Sequence, residues 1–233
     1  MVLIKRERSV IPACDFSDLN LFEKIVKETT DIEAIGGYKI GFRLGYRYGI
    51  PTVVKAARKH SKKPIIFDHQ KAGTDIPDLG EDYARDMKAF GVDAIILFPQ
   101  AGPLTQQKWT EAALKAGLAV IIGGEMTHPK YKKSEGGYID DKSLEDIYTN
   151  AAEQGITDFV VPGNRIDRIK KYREIIEKRG IEPIFYSPGL VTQGGDITAA
   201  TEAAGKRWHA IVGRAIYESK NIKKTAEELT KKL

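Results

Sequence analysis

The sequence predicts a single (β/α)8 TIM barrel domain covering residues 1–233. Three observations carry this expectation. Short runs of branched apolar residues alternate with amphipathic stretches, and the alternation repeats eight times along 233 residues. Each unit takes about 25 to 30 residues, enough for a strand and its crossover helix. No linker or shift in composition divides the chain, and eight parallel units close into a barrel. An open doubly wound sheet competes, but it would carry a glycine fingerprint after strand one. Residues 14–18 read CDFSD there instead.

The elements follow in order. Residues 9–16 (SVIPACDF) form strand one, and a helix follows over 17–29, with Ser17 available as its cap. Residues 36–44 (GGYKIGFRL) form strand two and enclose Lys39, a residue that needs a partner when buried. A helix over 51–60 leads to strand three, the apolar start of residues 64–77 (PIIFDHQKAGTDIP). A helix over 79–90, strand four at 92–99 and a helix over 104–116 come next. Strand five is 118–126 (LAVIIGGEM), followed by a polar Lys/Gly stretch to 141 that reads as a surface loop. The rest is a helix over 143–154, strand six at 156–163, a helix over 167–179 and strand seven at 181–189. A glycine-rich loop (190–196), a helix over 198–205, strand eight at 209–217 (HAIVGRAIY) and a helix over 222–233 close the chain.

Composition narrows the function classes. A hydrophobic content of 42% with 22 Gly and 10 Pro describes a globular protein with a sizeable core. Cys14 is the only cysteine, which excludes an intrachain disulfide and fits a reducing compartment. Its apolar strand makes it core rather than nucleophile. The start, MVLIKRERSV, has no apolar signal core, and no run reaches membrane-spanning length. The expectation is a soluble, cytoplasmic protein without a membrane partner. The net charge of +5 is no nucleic-acid signature, because the basic residues interleave with acids on helices. RIDRIKKYREIIEKRG, at 165–180, reads as a solvated helix face.

In a barrel of this class the site lies at the carboxyl ends of the strands. The residues expected there are Asp15, Lys39, Asp68 and Lys71, Thr127 and His128, Ser187 and Arg214. Asp75 follows on the same loop as Lys71. A bland alternative for Asp68–Asp75 is a salt-bridged strand end. After strands seven and eight, Gly194, Gly195 and Gly213 would let backbone N–H groups approach a phosphate, with Arg214 supplying charge. No metal-ligand constellation stands out, since each acid has a lysine close by. His128, beside a proline, reads as a structural hydrogen-bonding residue.

GEMTHP at 124–129, VVPGNR at 160–165, SPGLVTQGGD at 187–196 and IVGRAIY at 211–217 together resemble the orotidine 5'-monophosphate decarboxylase family. With CDFSD, GGYKIG and the Asp68–Asp75 cluster, the resemblance covers nearly the whole chain. It implies metal-independent decarboxylation of orotidylate to uridylate, with no cofactor. It also implies that Asp15 and Lys39 contact the ribose. Lys39, Asp68, Lys71 and Asp75 would form an alternating charged array, with Lys71 as proton donor and Asp75 reaching into the partner's site of a homodimer. Thr127 would stand at the pyrimidine, Gln193 would bridge it to the phosphate from a closing loop, and Arg214 would bind phosphate.

Two departures qualify the resemblance. The family's D-x-K-x-x-D becomes D-x-x-K-x-x-x-D here. Residues three apart cannot share a face of a regular strand. Either a bulge restores convergence of Asp68 and Lys71, or His69 takes the acid's place. Asp68 is favoured because the reaction benefits from a fixed negative charge. The second departure is Leu79, near a position where the family often has threonine. A magnesium-dependent keto-sugar-phosphate decarboxylase or aldolase, or a non-catalytic phosphate-binding barrel, remain the alternatives.

Overall fold

The eight strands are short because each must cross only the wall of a closed barrel. In the computed structural model, which describes residues 2–69, 73 and 75–233, they are β1 (Arg8–Cys14), β2 (Tyr38–Gly41), β3 (Ile65–Asp68), β4 (Ala94–Leu97), β5 (Ala119–Gly123), β6 (Asp158–Val160), β7 (Ile184–Ser187) and β8 (Trp208–Val212). Every neighbour pairs in parallel, and β8 returns to β1 in the register Arg8↔Trp208 to Pro12↔Val212. The expected (β/α)8 barrel is the observed one.

The helices are α1 (Leu19–Thr29), α2 (Phe42–Tyr48), α3 (Ile50–Arg58), α4 (Gly80–Ala89), α5 (Pro103–Lys115), α6 (Asp141–Glu153), α7 (Ile166–Glu177), α8 (Ile197–Ala204), α9 (Arg214–Tyr217) and α10 (Ile222–Thr230). Strand alternation sorts the core into two layers. Ile11, Ile66, Ile96, Ile121 and Ile211 fill the barrel. Their neighbours Val10, Phe67, Ile95, Ile122 and Val212 pack against the helices.

Most strands are shorter than the sequence reading, and three differences bear on the site and its flanking helices. Strand two stops at Gly41, and Phe42–Leu44 open α2 instead. Strand eight stops at Val212, so Arg214–Tyr217 are helical. In both places an apolar run continues across a strand-to-helix junction, and its composition does not mark the change. Asp18 rather than Ser17 caps α1, its carboxylate accepting from the Asn20 and Leu21 N–H groups at 2.9 and 3.1 Å.

Candidate functional site

β1, β2 and β3 bring a lysine and two acids together. Lys39 and Asp68 lie on neighbouring strands, in the ladder Lys39↔Ile66 to Gly41↔Asp68, and Asp15 immediately follows β1. The Lys39 ammonium donates to Asp68 Oδ2 at 2.7 Å and to Asp15 Oδ1 at 2.9 Å. Its side chain is 7% exposed, Asp68's 8% and Asp15's 50%. Burial acts to lower the Lys39 pKa, but attraction to Asp15 and Asp68 outweighs it, and the pKa ends above its ordinary value. Gly41 is required beneath this array, because a Cβ there would lie 2.7 Å from Asp15 Oδ1. The second oxygen of Asp68, Oδ1, is buried without a hydrogen-bond partner among the described residues.

The array forms one wall of a pocket of about 170 Å³ at the carboxyl ends of the strands. Thr127, Gln193, Gly213 and Arg214 line the same pocket, with Phe98 and Ile96 forming an apolar part of the wall. A second hollow of about 180 Å³, lined also by Phe42 and Arg43, lies across the array. Arg43 drew no attention in the sequence. Its guanidinium donates to the Asp15 carbonyl at 3.3 Å.

Asp68 and His69 diverge as strand alternation requires. Asp68 faces the pocket, on the barrel side shared with Ile66. The His69 ring packs edge-on against Tyr46 and Phe67, and its Nε2 lies 2.8 Å from the Tyr46 hydroxyl. Lys71 lies outside the described residues.

Other expected residues sit elsewhere. Ser187 is fully buried and accepts from Trp208 Nε1 at 2.8 Å, on the helix side of β7. It leaves the mouth because Tyr186, one residue earlier, takes the inward position. His128 is exposed, its ring against Tyr131 rather than in the pocket. In the loop after β7, the Gly194 and Gly195 N–H groups bond to the carbonyls of Val191 and Gly189. Gly195 fits because a Cβ would lie 2.7 Å from the Gly189 oxygen. Val191 in this loop has φ of 60°, an uncommon and strained value for a β-branched residue. Asp75 is exposed, with Oδ1 accepting from the Ile76 N–H at 2.7 Å and its carbonyl accepting from Thr105 Oγ1 at 3.0 Å. Cys14 is buried, and desolvation pushes its thiol well above the ordinary range, which fits a core role.

Sequence reasoning missed a second charged cluster, around Glu125 just beyond β5. Glu125 Oε1 accepts from Lys132 Nζ at 2.9 Å and Arg165 at 3.3 Å. Its Oε2 accepts from Arg168 Nε at 2.7 Å and from the Tyr172 hydroxyl. Glu135 pairs with Arg165 and Lys132 at the cluster's outer edge. Arg168 belongs to the stretch expected to be a solvated face, yet its side chain is only 12% exposed. Among the described residues, no three His, Cys, Asp or Glu side chains gather as a metal site requires. None of the helices described is long and apolar enough to cross a membrane.

Comparison with known proteins gives concordant matches. Residues 8–229 match the model of the orotidine 5'-phosphate decarboxylase / HUMPS family. The chain is 30% identical to the orotidine 5'-phosphate decarboxylase of Methanosphaera stadtmanae, with 96% of each chain covered. It is also 30% identical to that of Methanocaldococcus jannaschii, covering 93% of this chain and 94% of the relative. The crystal structure of orotidine 5'-monophosphate decarboxylase from the latter organism, complexed with the inhibitor BMP, superposes with a TM-score of 0.85. Sequence identity there is 27%, over 98% of this chain and 99% of the other.

Proposed function

We propose how the barrel mouth works from the premise that the chain belongs to the orotidine 5'-phosphate decarboxylase / HUMPS family. The protein is a lyase that decarboxylates orotidine 5'-monophosphate in pyrimidine biosynthesis. The observation that carries our reading of the site is the Asp15–Lys39–Asp68 array, with Lys39 and Asp68 buried and Asp15 half exposed beside a pocket that Arg214 also lines.

Loss of carbon dioxide leaves an electron pair on a ring carbon that delocalises it poorly. The chemistry therefore needs positive charge aimed at that carbon and a proton close by, both fixed in advance. In our reading Lys71 supplies both. Asp68 Oδ1, buried and unpartnered among the described residues, is the acceptor that would hold its ammonium. The inward aspect of Asp68, against the packing of His69 on Tyr46, supports Asp68 as the acid of the array. Lys39 and Asp15 would bind the ribose hydroxyls and Thr127 would stand at the pyrimidine.

Arg214 would hold the phosphate together with the Gly213 backbone, both of which line the pocket. Gly194 and Gly195 have their N–H groups engaged within the loop, so their part in phosphate binding requires that loop to rearrange. The strained Val191 supports such a change. Closure would bring Gln193 over the nucleotide and exclude water, turning phosphate binding energy into rate.

We read the active form as a homodimer in which Asp75 completes the neighbour's site. Exposed Phe42, Tyr46, Ile76, Leu79 and Leu104 follow the ends of β2, β3 and β4, an apolar rim suited to self-association. No metal takes part in this scheme. The test is the spectrophotometric loss of orotidylate with and without a chelator. Equal rates are expected, and a rate abolished by chelation would favour a metal-dependent barrel lyase.

A further inference from the structure

The Glu125 cluster lies outside the mechanism above, and its construction is unusual. β5 ends at Gly123, so the next backbone groups have no strand to pair with. Three tyrosines replace it. The Tyr148 hydroxyl accepts from the N–H groups of Gly124 and Glu125 at 3.1 and 3.3 Å, and donates to the Val160 carbonyl at 2.7 Å. Tyr131 donates to the Gly124 carbonyl at 2.8 Å. Tyr172 stacks on Tyr148 with ring centroids 4.0 Å apart and donates to the Glu125 carboxylate.

The side chain is held as firmly. Glu125 is fully buried, and both its oxygens bond to cations from three places in the chain. Lys132 lies on the loop that follows Thr127, and Arg165 and Arg168 open α7. Beside Arg165, the Asn164 amide donates to the Thr127 carbonyl at 3.4 Å. The backbone is thus fixed on both sides of Thr127, two residues beyond Glu125. A burial this complete is weak as a source of stability, but it leaves the segment one geometry.

We propose that Glu125 is a positioning residue for the decarboxylation. By gathering Lys132, Arg165 and Arg168 around the end of β5, it holds Thr127 against the substrate pocket. The inference rests on the placement of Thr127 at the pyrimidine proposed above. A carboxylate serving only the barrel's stability would act on the folded population. A positioning residue acts through Thr127, so its loss matters only while the Thr127 hydroxyl is there to be placed.

The test is a double-mutant cycle on kcat and kcat/KM for orotidylate, using Glu125→Gln, Thr127→Ala and the double variant, each checked for folding by circular dichroism. Glu125→Gln is expected to lower kcat about tenfold, a usual coupling within one hydrogen-bonded network. In the Thr127→Ala background the same change is expected to cost less than about twofold. Effects that multiply, with Thr127→Ala itself costly, would overturn the role of Glu125 and leave that of Thr127 standing. A silent Thr127→Ala would overturn both. Should Glu125→Gln fail to fold, Glu135→Gln cuts the same network at a member 26% exposed, and the same cycle decides.

Discussion

On the β1–β3 arc of the mouth one ammonium lies between two carboxylates, while beyond β5 one carboxylate lies among three cations. The central Lys39 and Glu125 side chains are both buried, but the clusters are satisfied differently. Each Glu125 oxygen has two partners, whereas Asp68 Oδ1 has none among the described residues. Both residues line the pocket, but the Asp68 side chain keeps some exposure there, while the Glu125 side chain is fully enclosed. A buried polar atom left unsatisfied is costly and needs an explanation. In the scheme proposed above, the explanation is a group that meets its partner in the reacting site. In that proposed scheme, the completed cluster is the scaffold that positions, and the incomplete one takes part in the chemistry.

The largest expected effect removes the proton donor. Lys71→Ala should lower kcat by about 10^4-fold or more, the upper range for a positioned acid, with the fold intact by circular dichroism. Mixed with an inactive Asp75→Asn protein it should regain part of the activity, since hybrid dimers contain one intact site. Mixtures that stay inactive while subunits exchange would remove Asp75 from the neighbour's site.

Arg214 comes next. Losing its charge-assisted phosphate contact should cost about 2–4 kcal/mol in kcat/KM, with both kcat and KM affected. Unchanged efficiency of Arg214→Ala would place the phosphate elsewhere. His69→Ala should change kcat by less than about threefold, because its ring serves Tyr46 and Phe67. A rate that titrates near the imidazole pKa of about 6.5, and loses that titration in His69→Ala, would give the acid's place to His69.

The smallest effect concerns stability inside the barrel. His209 is buried, its Nδ1 2.8 Å from Ser9 Oγ, and desolvation followed by repulsion from Arg207 lowers its pKa to about 3. The unfolded chain binds this proton below about pH 6.5, and the folded protein does not until about 3. Stability is therefore lost as pH falls through that window, about 2 kcal/mol from this group between pH 7 and pH 5. Asp158, its pKa raised by burial, acts in the opposite direction. Urea titrations of the protein and a His209→Gln variant isolate the histidine. Equal pH dependence in the two would contradict its burial as a neutral ring.

The barrel was legible because each strand is a branched apolar run bounded by glycine or charge, as in VDAIILFP. The array was legible where acids and lysines interrupt those runs, at Asp15, Lys39 and Asp68. What failed depends on contacts that sequence spacing does not encode. Ser187 ends an apolar strand and so reads as a mouth residue, but the inward position of Tyr186 turns it outward. Arg168 looked like solvated helix surface because its partner is 43 residues away. Phe42 and Arg214 continued apolar runs, so the short helices they begin read as strand.

The central claim separates chemistry from scaffold, and one paired measurement tests it: kcat and urea midpoint for Asp68→Asn and Glu125→Gln side by side. Asp68→Asn should reduce kcat at least about a hundredfold. Its stability should fall no more than about 1 kcal/mol, since Lys39 keeps Asp15 as a partner. Glu125→Gln should lose about 3–5 kcal/mol of stability, because Arg168 is left without a carboxylate and Lys132 and Arg165 keep only Glu135, while kcat falls only about tenfold. An Asp68→Asn protein that turns over normally but unfolds easily, beside a Glu125→Gln protein that is stable and inactive, would contradict the assignment of both clusters.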